Sequence, residues 1–420
     1  MRILFVIEQP EIFDLIENNN YVNPGVGGTT YTSLRLAELL NKSESINGFE
    51  RNIYLGIYRG DSGYFKDMPI IDLKKSKEKW DIAIITGGTI DLIFSKKISI
   101  NAKRKIAWIR HPYDWDKINK AKQIKAEILS VGKAQFLTNF YIAGNHHRIN
   151  NIFCSSRIRN SAKIDISKLA NGNWKTKNKI KIGFMGALVY SKGFHLIAAE
   201  WNKIKKIIQS YGREAELHVI GGSSLYGIKE SHKKIPCEEK YGELIFKYLG
   251  EEIEKDIYFY GKLGKERYKI MRDIDIAIAN PLAHGEAFPA TLLEWISLGV
   301  PTIAPQSYGF GDVMYYFPEM VIKNSKELPK SIRSFIGMGE EERNIFKKQI
   351  INISDLFSSE EENIVAKWEV LLNSHNKVKI NGLLNREIIL ISIKEFLKMR
   401  FYSIIDRFKR YMSKLKKRIL

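Results

Sequence analysis

Acidic side chains are in short supply in this sequence. Against 67 Lys and Arg stand 47 Asp and Glu, a formal net charge of +20 at pH 7. Such an excess implies anionic partners, and nucleic acid, an acidic membrane face and diphosphate substrates all qualify. No aromatic-basic strand motif of an RNA-binding module occurs, so nucleic acid is not expected. Cysteine is nearly missing: Cys154 and Cys237, far apart, exclude a disulfide framework and a zinc quartet and fit inert thiols in a reducing compartment. Among the 8 histidines, His146 and His147 are adjacent, so their rings point apart and hold no metal between them. No apolar run reaches the roughly 18–20 residues that cross a bilayer. The opening Met1–Glu8 stretch is too short for a secretion signal and reads as a buried strand. The expected location is the cytoplasm.

What is present is material for two cores. At 420 residues, 44% hydrophobic and 11% aromatic, the chain is globular and long enough for two domains. Short apolar strands alternate with helical stretches, the mark of a doubly wound parallel sheet, and they do so twice. Candidate strands are 3–7, 53–57, 82–85, 106–109 and 152–154, then 180–185, 216–220, 257–260, 274–279 and 302–304. The polar Asn171-Gly172-Asn173 marks the boundary. The expected fold class is α/β, with Rossmann-like parallel-sheet domains over 1–172 and 173–358 facing across a cleft. A helical segment over 359–375 and a tail over 376–420 follow. Open α/β sheets bind ligands beyond the carboxyl ends of their strands, so the cleft is the expected site. From Arg386 onward, eleven basic residues stand against three acidic ones, and Leu397, Phe401, Ile404, Phe408, Tyr411 and Leu415 recur every three or four positions. This pattern predicts a basic amphipathic helix that either lies on an anionic membrane or packs on the protein itself.

The most informative stretch is 284–295, His-Gly-Glu-Ala-Phe-Pro-Ala-Thr-Leu-Leu-Glu-Trp. Pro289 predicts the first position of a helix. Glu286 then lies in the loop ahead of it, and Glu294 about one turn inside. The amides of Ala290 and Thr291, at the positive end of the helix, form an anion site between two carboxylates. A sugar nucleotide presents phosphate flanked by hydroxyls, the complement of that arrangement. Gly299 predicts a left-handed helix stop before the strand at 302.

Earlier, Gly186 lets backbone approach a ligand and Lys192 supplies a point charge, unless that lysine is merely a solvated loop residue. Gly27 and Gly28 precede a helix whose amide end can face a phosphate, or they form only a tight turn. Their spacing is neither a dinucleotide fingerprint nor a P-loop. His111 follows a strand on the cleft side. Two Asp-x-Asp pairs, Asp114/Asp116 and Asp273/Asp275, are read as non-metal.

Glu286, Glu294 and Gly299-Val300-Pro301 together resemble the carboxyl-terminal half of the retaining GT-B glycosyltransferases, specifically glycosyltransferase family 4. Those enzymes carry Glu, seven residues, Glu, and then a Gly-Val-Pro turn. The resemblance spans residues 1–372 and is strongest over 180–305. It implies transfer of a hexose-type residue from a nucleotide diphosphate sugar to an acceptor hydroxyl, with retention and with no required metal or other cofactor.

By the same resemblance, Glu294 accepts from the ribose, and Glu286 and His111 bond the donor sugar. Lys192, with the Ala290 and Thr291 amides, neutralises the departing diphosphate. Gly27 and Gly28 border it, while Gly186, Gly222 and Leu263 line the nucleotide pocket. One departure stands out: Ala187 occupies the place of the family's diphosphate-binding Arg. A helix over 360–372 is expected to cross back to the first domain. A polysaccharide, cell-envelope glycan or lipid-linked acceptor fits the cationic tail. Two rival readings remain, a sugar-nucleotide epimerase or hydrolase of the same fold and a non-catalytic basic binding protein.

Overall fold

The computed structural model describes residues 1–7, 13, 23, 28–43, 50–111, 115–143, 146–165, 177–251, 253–283 and 285–374. Two sheets organise them. The first contains β1 (Arg2–Val6), β2 (Asn52–Ile57), β3 (Gly63–Phe65), β4 (Met68–Asp72), β5 (Lys79–Thr86), β6 (Asn101–Ile109), β7 (Glu127–Ser130) and β8 (His147–Arg148), in the order β3-β4-β2-β1-β5-β6-β7-β8. All neighbours are parallel except β3 and β4. The second contains β9 (Lys179–Met185), β10 (Glu214–Ile220), β11 (Ile257–Phe259), β12 (Ile276–Ile278), β13 (Thr302–Pro305) and β14 (Val321–Ile322), ordered β11-β10-β9-β12-β13-β14 and all parallel.

Chain direction across each sheet reverses beside its first strand, at β1/β5 and at β9/β12, which opens a crevice at the carboxyl ends there. Strands such as Ile82–Ile85 are apolar throughout because helices cover both faces of a parallel sheet. Trp108, Trp201, Trp295 and Trp368 are the largest fully buried side chains.

Two expectations need correcting. Residues 152–154 are not a strand: Cys154 precedes the helix Ser155–Ala162, and Phe153 pairs only through a lone bridge to Ser359. Their apolar character instead serves lobe contact, with Phe153 packing edge-on against Phe288 at 6.4 Å. The strand expected over 274–279 shortens to β12, because Asp275 takes the Lys181 amide (2.9 Å) and the Lys177 ammonium ahead of it. The short strands β3, β4, β7, β8 and β14 are additions to the sequence reading.

The helix Glu361–Asn373 lies against the first sheet. Trp368 meets Trp108 edge-on at 4.8 Å, Arg35 donates to Glu361 at 2.9 and 2.6 Å, and Arg51 pairs with Glu369. Asn171–Asn173, Gly27 and the basic tail lie outside the described residues. Among the described residues no helix is long and apolar enough to cross a membrane.

Candidate active site

The Glu286 loop connects β12 to the helix Ala290–Ser297 through a left-handed turn at Gly285 (φ +76°). Pro289 departs from the sequence reading. Its ψ of 58° is not helical, so it is the residue before the helix rather than its first member. The Ala290 amide consequently donates to Phe288 O at 2.9 Å and does not point into the cleft. The helix stop at Gly299 has the left-handed φ, +71°.

Backbone packs tightly behind this loop. Gly309 N–H donates to Glu286 O at 2.7 Å, and a Cβ on Gly309 would lie 2.6 Å from the same oxygen. A Cβ on Gly132, in the first lobe, would lie 2.2 Å from Ala287 O. Asp312 adds a second bridge between lobes. Its carboxylate accepts the Lys133 and Ala134 amides at 2.9 and 3.1 Å, where the helix Lys133–Ala143 begins.

Each motif glutamate is held by a cation. Lys192, in a single turn ended by Gly193 (φ +71°), forms an ion pair with Glu286, and Asn280 Nδ2 lies 3.4 Å from the same oxygen. Burial opposes the Lys192 charge, but the Glu286 carboxylate and the Tyr226 hydroxyl outweigh it and hold the pKa above the ordinary lysine value. His111 is exposed, and its Nδ1 is 3.7 Å from where a Gly285 Cβ would sit. First-lobe His111 thus abuts the loop that carries Glu286.

Glu294 is gripped by Arg267, a partner the sequence reading missed. Arg267 Nε and Nη2 donate to the carboxylate at 3.0 and 3.3 Å, while Nη1 reaches Asn23 O in the first lobe at 2.9 Å. Burial again opposes the charge, and Glu294 overcomes it, raising the Arg267 pKa. A cavity of about 120 Å³ lies between Gly28, Tyr31 and Thr32 of the first lobe and Arg267, Ala290 and Glu294 of the second. Gly28 opens into space, with nothing within 4 Å of a Cβ there.

At the carboxyl ends of β9 and β10 three backbone segments converge. Gly221 (φ +123°) donates to Gly261 O at 2.7 Å, and a Cβ on it would lie 2.1 Å from Gly186 O. Gly222 is covered by Glu230, 2.2 Å from its virtual Cβ, so it does not stand open as a pocket wall in this conformation. Leu263 packs partly buried against the core. Ala187 is buried, and no cation stands at that position. Asp116 pairs with Lys120 on the helix Trp115–Gln123. His147 lies 3.2 Å from Glu127, while the His146 ring sits against Phe136.

Residues 165–352 match the family model for glycosyl transferases group 1. That stretch carries a glycosyltransferase domain. Among solved structures, the chain is similar to Anabaena HepE in complex with UDP-glucose, at 15% identity, TM-score 0.57, and 88% and 99% coverage of the two chains. It is similar also to the N-terminal domain of Candida albicans trehalose-6-phosphate phosphatase, at 10% identity, TM-score 0.57, and 89% and 98% coverage. A third likeness is to the E. coli trehalose-6-phosphate protein bound with UDP-2-fluoro glucose, at 11% identity, TM-score 0.54, and 90% and 100% coverage. These likenesses establish the fold, two Rossmann-like lobes of the GT-B type. None of the curated proteins matches the chain.

Proposed function

We propose that the chain transfers a hexose-type residue from a UDP-sugar to an acceptor hydroxyl with retention of configuration. The carrying observation is that both motif glutamates lie at the inter-lobe cleft, each paired with a cation, with His111 of the opposite lobe against the Glu286 loop. On this reading Glu294 receives the ribose and Glu286 the donor sugar. Lys192 neutralises the diphosphate as it leaves, the electrostatic contribution that usually dominates such catalysis. No metal is needed in this scheme.

On this reading Glu286 accepts hydrogen bonds from the donor sugar and forms no covalent bond to it. Retention is then assigned to attack from the face the diphosphate departs. The UDP-sugars held by HepE and by the E. coli protein make UDP the first base to test. A polysaccharide, cell-envelope glycan or lipid-linked acceptor, met at an anionic membrane face through the basic tail, completes the proposal.

The test incubates the full chain with UDP-, ADP- and GDP-sugars and acceptor glycans and reads the anomeric configuration of the product by NMR. An α-linked product from an α-donor supports the reading. Inversion overturns retention, and a new sugar nucleotide formed from donor alone overturns transfer in favour of epimerisation.

A further inference from the structure

Arg110 follows β6 and is only 7% exposed, yet it faces no carboxylate among the described residues. Its guanidinium donates to Asn151 Oδ1 at 2.8 Å, to Gly28 O at 3.3 Å and to Thr32 Oγ1, and it lies 4.2 Å from the Trp108 ring centre. Arg35 and Arg267, as deeply buried, are each matched by glutamate. Burial alone acts on Arg110, pushing its pKa down to about 9. Neutral oxygens orient a guanidinium without cancelling its charge, and an uncompensated buried charge is costly to keep.

Its position says what the charge is for. Gly28 and Thr32, which Arg110 touches, line the cavity opposite Ala290 and Glu294. On the other lobe the expected cation is absent, since position 187 is a buried alanine.

We propose that Arg110 is the counter-charge for a phosphoryl group of a substrate bound in this cavity. An incoming phosphoryl oxygen replaces Gly28 O, the longest of the three bonds, as acceptor. The inference rests on the transfer reading above. Two sources share the chemistry, the diphosphate of the donor and a phosphate carried by the acceptor.

The experiment measures binding of UDP, uridine and inorganic phosphate to the full chain by calorimetry and thermal shift, for the wild type, Arg110→Met and Arg110→Lys. The methionine variant is expected to melt no lower than wild type without ligand, because a stranded charge has been removed. It should bind UDP about tenfold more weakly, the scale of one charged hydrogen bond, with uridine unaffected and Arg110→Lys intermediate. Loss of phosphate binding with UDP intact supports the proposal with the acceptor as the source.

Wild-type binding of both UDP and phosphate by Arg110→Met overturns it. So does a lower melting point with the ligand-induced shift preserved, since that marks a purely structural arginine. If Arg110→Met does not fold, Arg110→Gln, neutral but hydrogen-bonding, carries the same readings. A wild type that binds neither UDP nor uridine sinks the UDP-donor reading instead and leaves the phosphate arm to decide on Arg110.

Discussion

Arg267 holds Glu294 through two hydrogen bonds, 3.0 and 3.3 Å, and with its remaining nitrogen reaches across to Asn23 O of the first lobe. Arg267 is buried and Glu294 is partly so, and removing the carboxylate strands the guanidinium. Glu294→Ala is expected to abolish transfer and also to cost about 3–5 kcal/mol of stability, because the guanidinium is left without its anion. Replacing both residues, as R267M/E294M, should restore most of the melting temperature while activity stays absent. Calorimetric melting of the two variants separates the contributions. An active, fully stable Glu294→Ala would refute the role given to this glutamate.

Lys192 pairs with Glu286 where the sugar phosphate bond is expected to break. Lys192→Met should lower kcat about 100-fold or more, the scale seen when one preorganised charge-stabilising group is lost. KM for the donor should change less, because the charge develops only as the diphosphate departs. Steady-state kinetics check the split. A pure KM effect would recast Lys192 as a ground-state binding residue.

How much of this was legible beforehand differs by residue. Period and punctuation sufficed for the longer parallel strands, such as β1, β5, β6, β9 and β10, and for the Gly299 stop, since both depend on local chemistry. Pro289 misled by one position because proline fixes φ and leaves ψ free, and ψ decided. Residues 152–154 looked like a strand because apolar character does not say whether a segment is buried in a sheet or between lobes. Strands β7 and β8 are too short for any period to register. Arg267 carries no local signature: 27 positions separate it from Glu294, and only the packing of β12 and the following helix brings them together. Arg110 sat in plain view beside His111, but its lack of an anionic partner is a property of the fold. Gly132 is similarly silent, since its meaning is a distance to Ala287 in the other half.

That distance yields a prediction about lobe contact. A Cβ at Gly132 would sit 2.2 Å from Ala287 O, well inside van der Waals contact, and its obstacle is backbone rather than a yielding side chain. Gly132→Ala should therefore push the Glu286 loop away from the first lobe. Overpacking of this kind costs about 1–3 kcal/mol. Activity should fall more than stability, because the proposed reading has His111 and Glu286 act together on the donor sugar. Wild-type activity in this variant would show that the two lobes need not approach this closely during turnover.

Acid should loosen the first lobe through Glu38. This nearly buried carboxylate accepts from Arg35 at 2.8 Å, Lys42 at 2.9 Å and Lys66 at 2.5 Å. Burial alone would raise its pKa; the Lys66, Lys42 and Arg35 contacts prevail and bring it from the ordinary 4.5 to about 2. A folded pKa below the unfolded one means stability that is present above pH 4.5 and lost as pH falls from there towards 2. For one such group the loss is about 2–3 kcal/mol. Glu127, held near 2 by Arg104 and His147 against its own burial, adds a loss of the same sign. Glu38→Gln should thus melt lower than wild type at pH 7 and show a shallower decline between pH 5 and 2.5. Parallel pH profiles for variant and wild type would mean that the Arg35–Glu38–Lys66 cluster contributes nothing to folding.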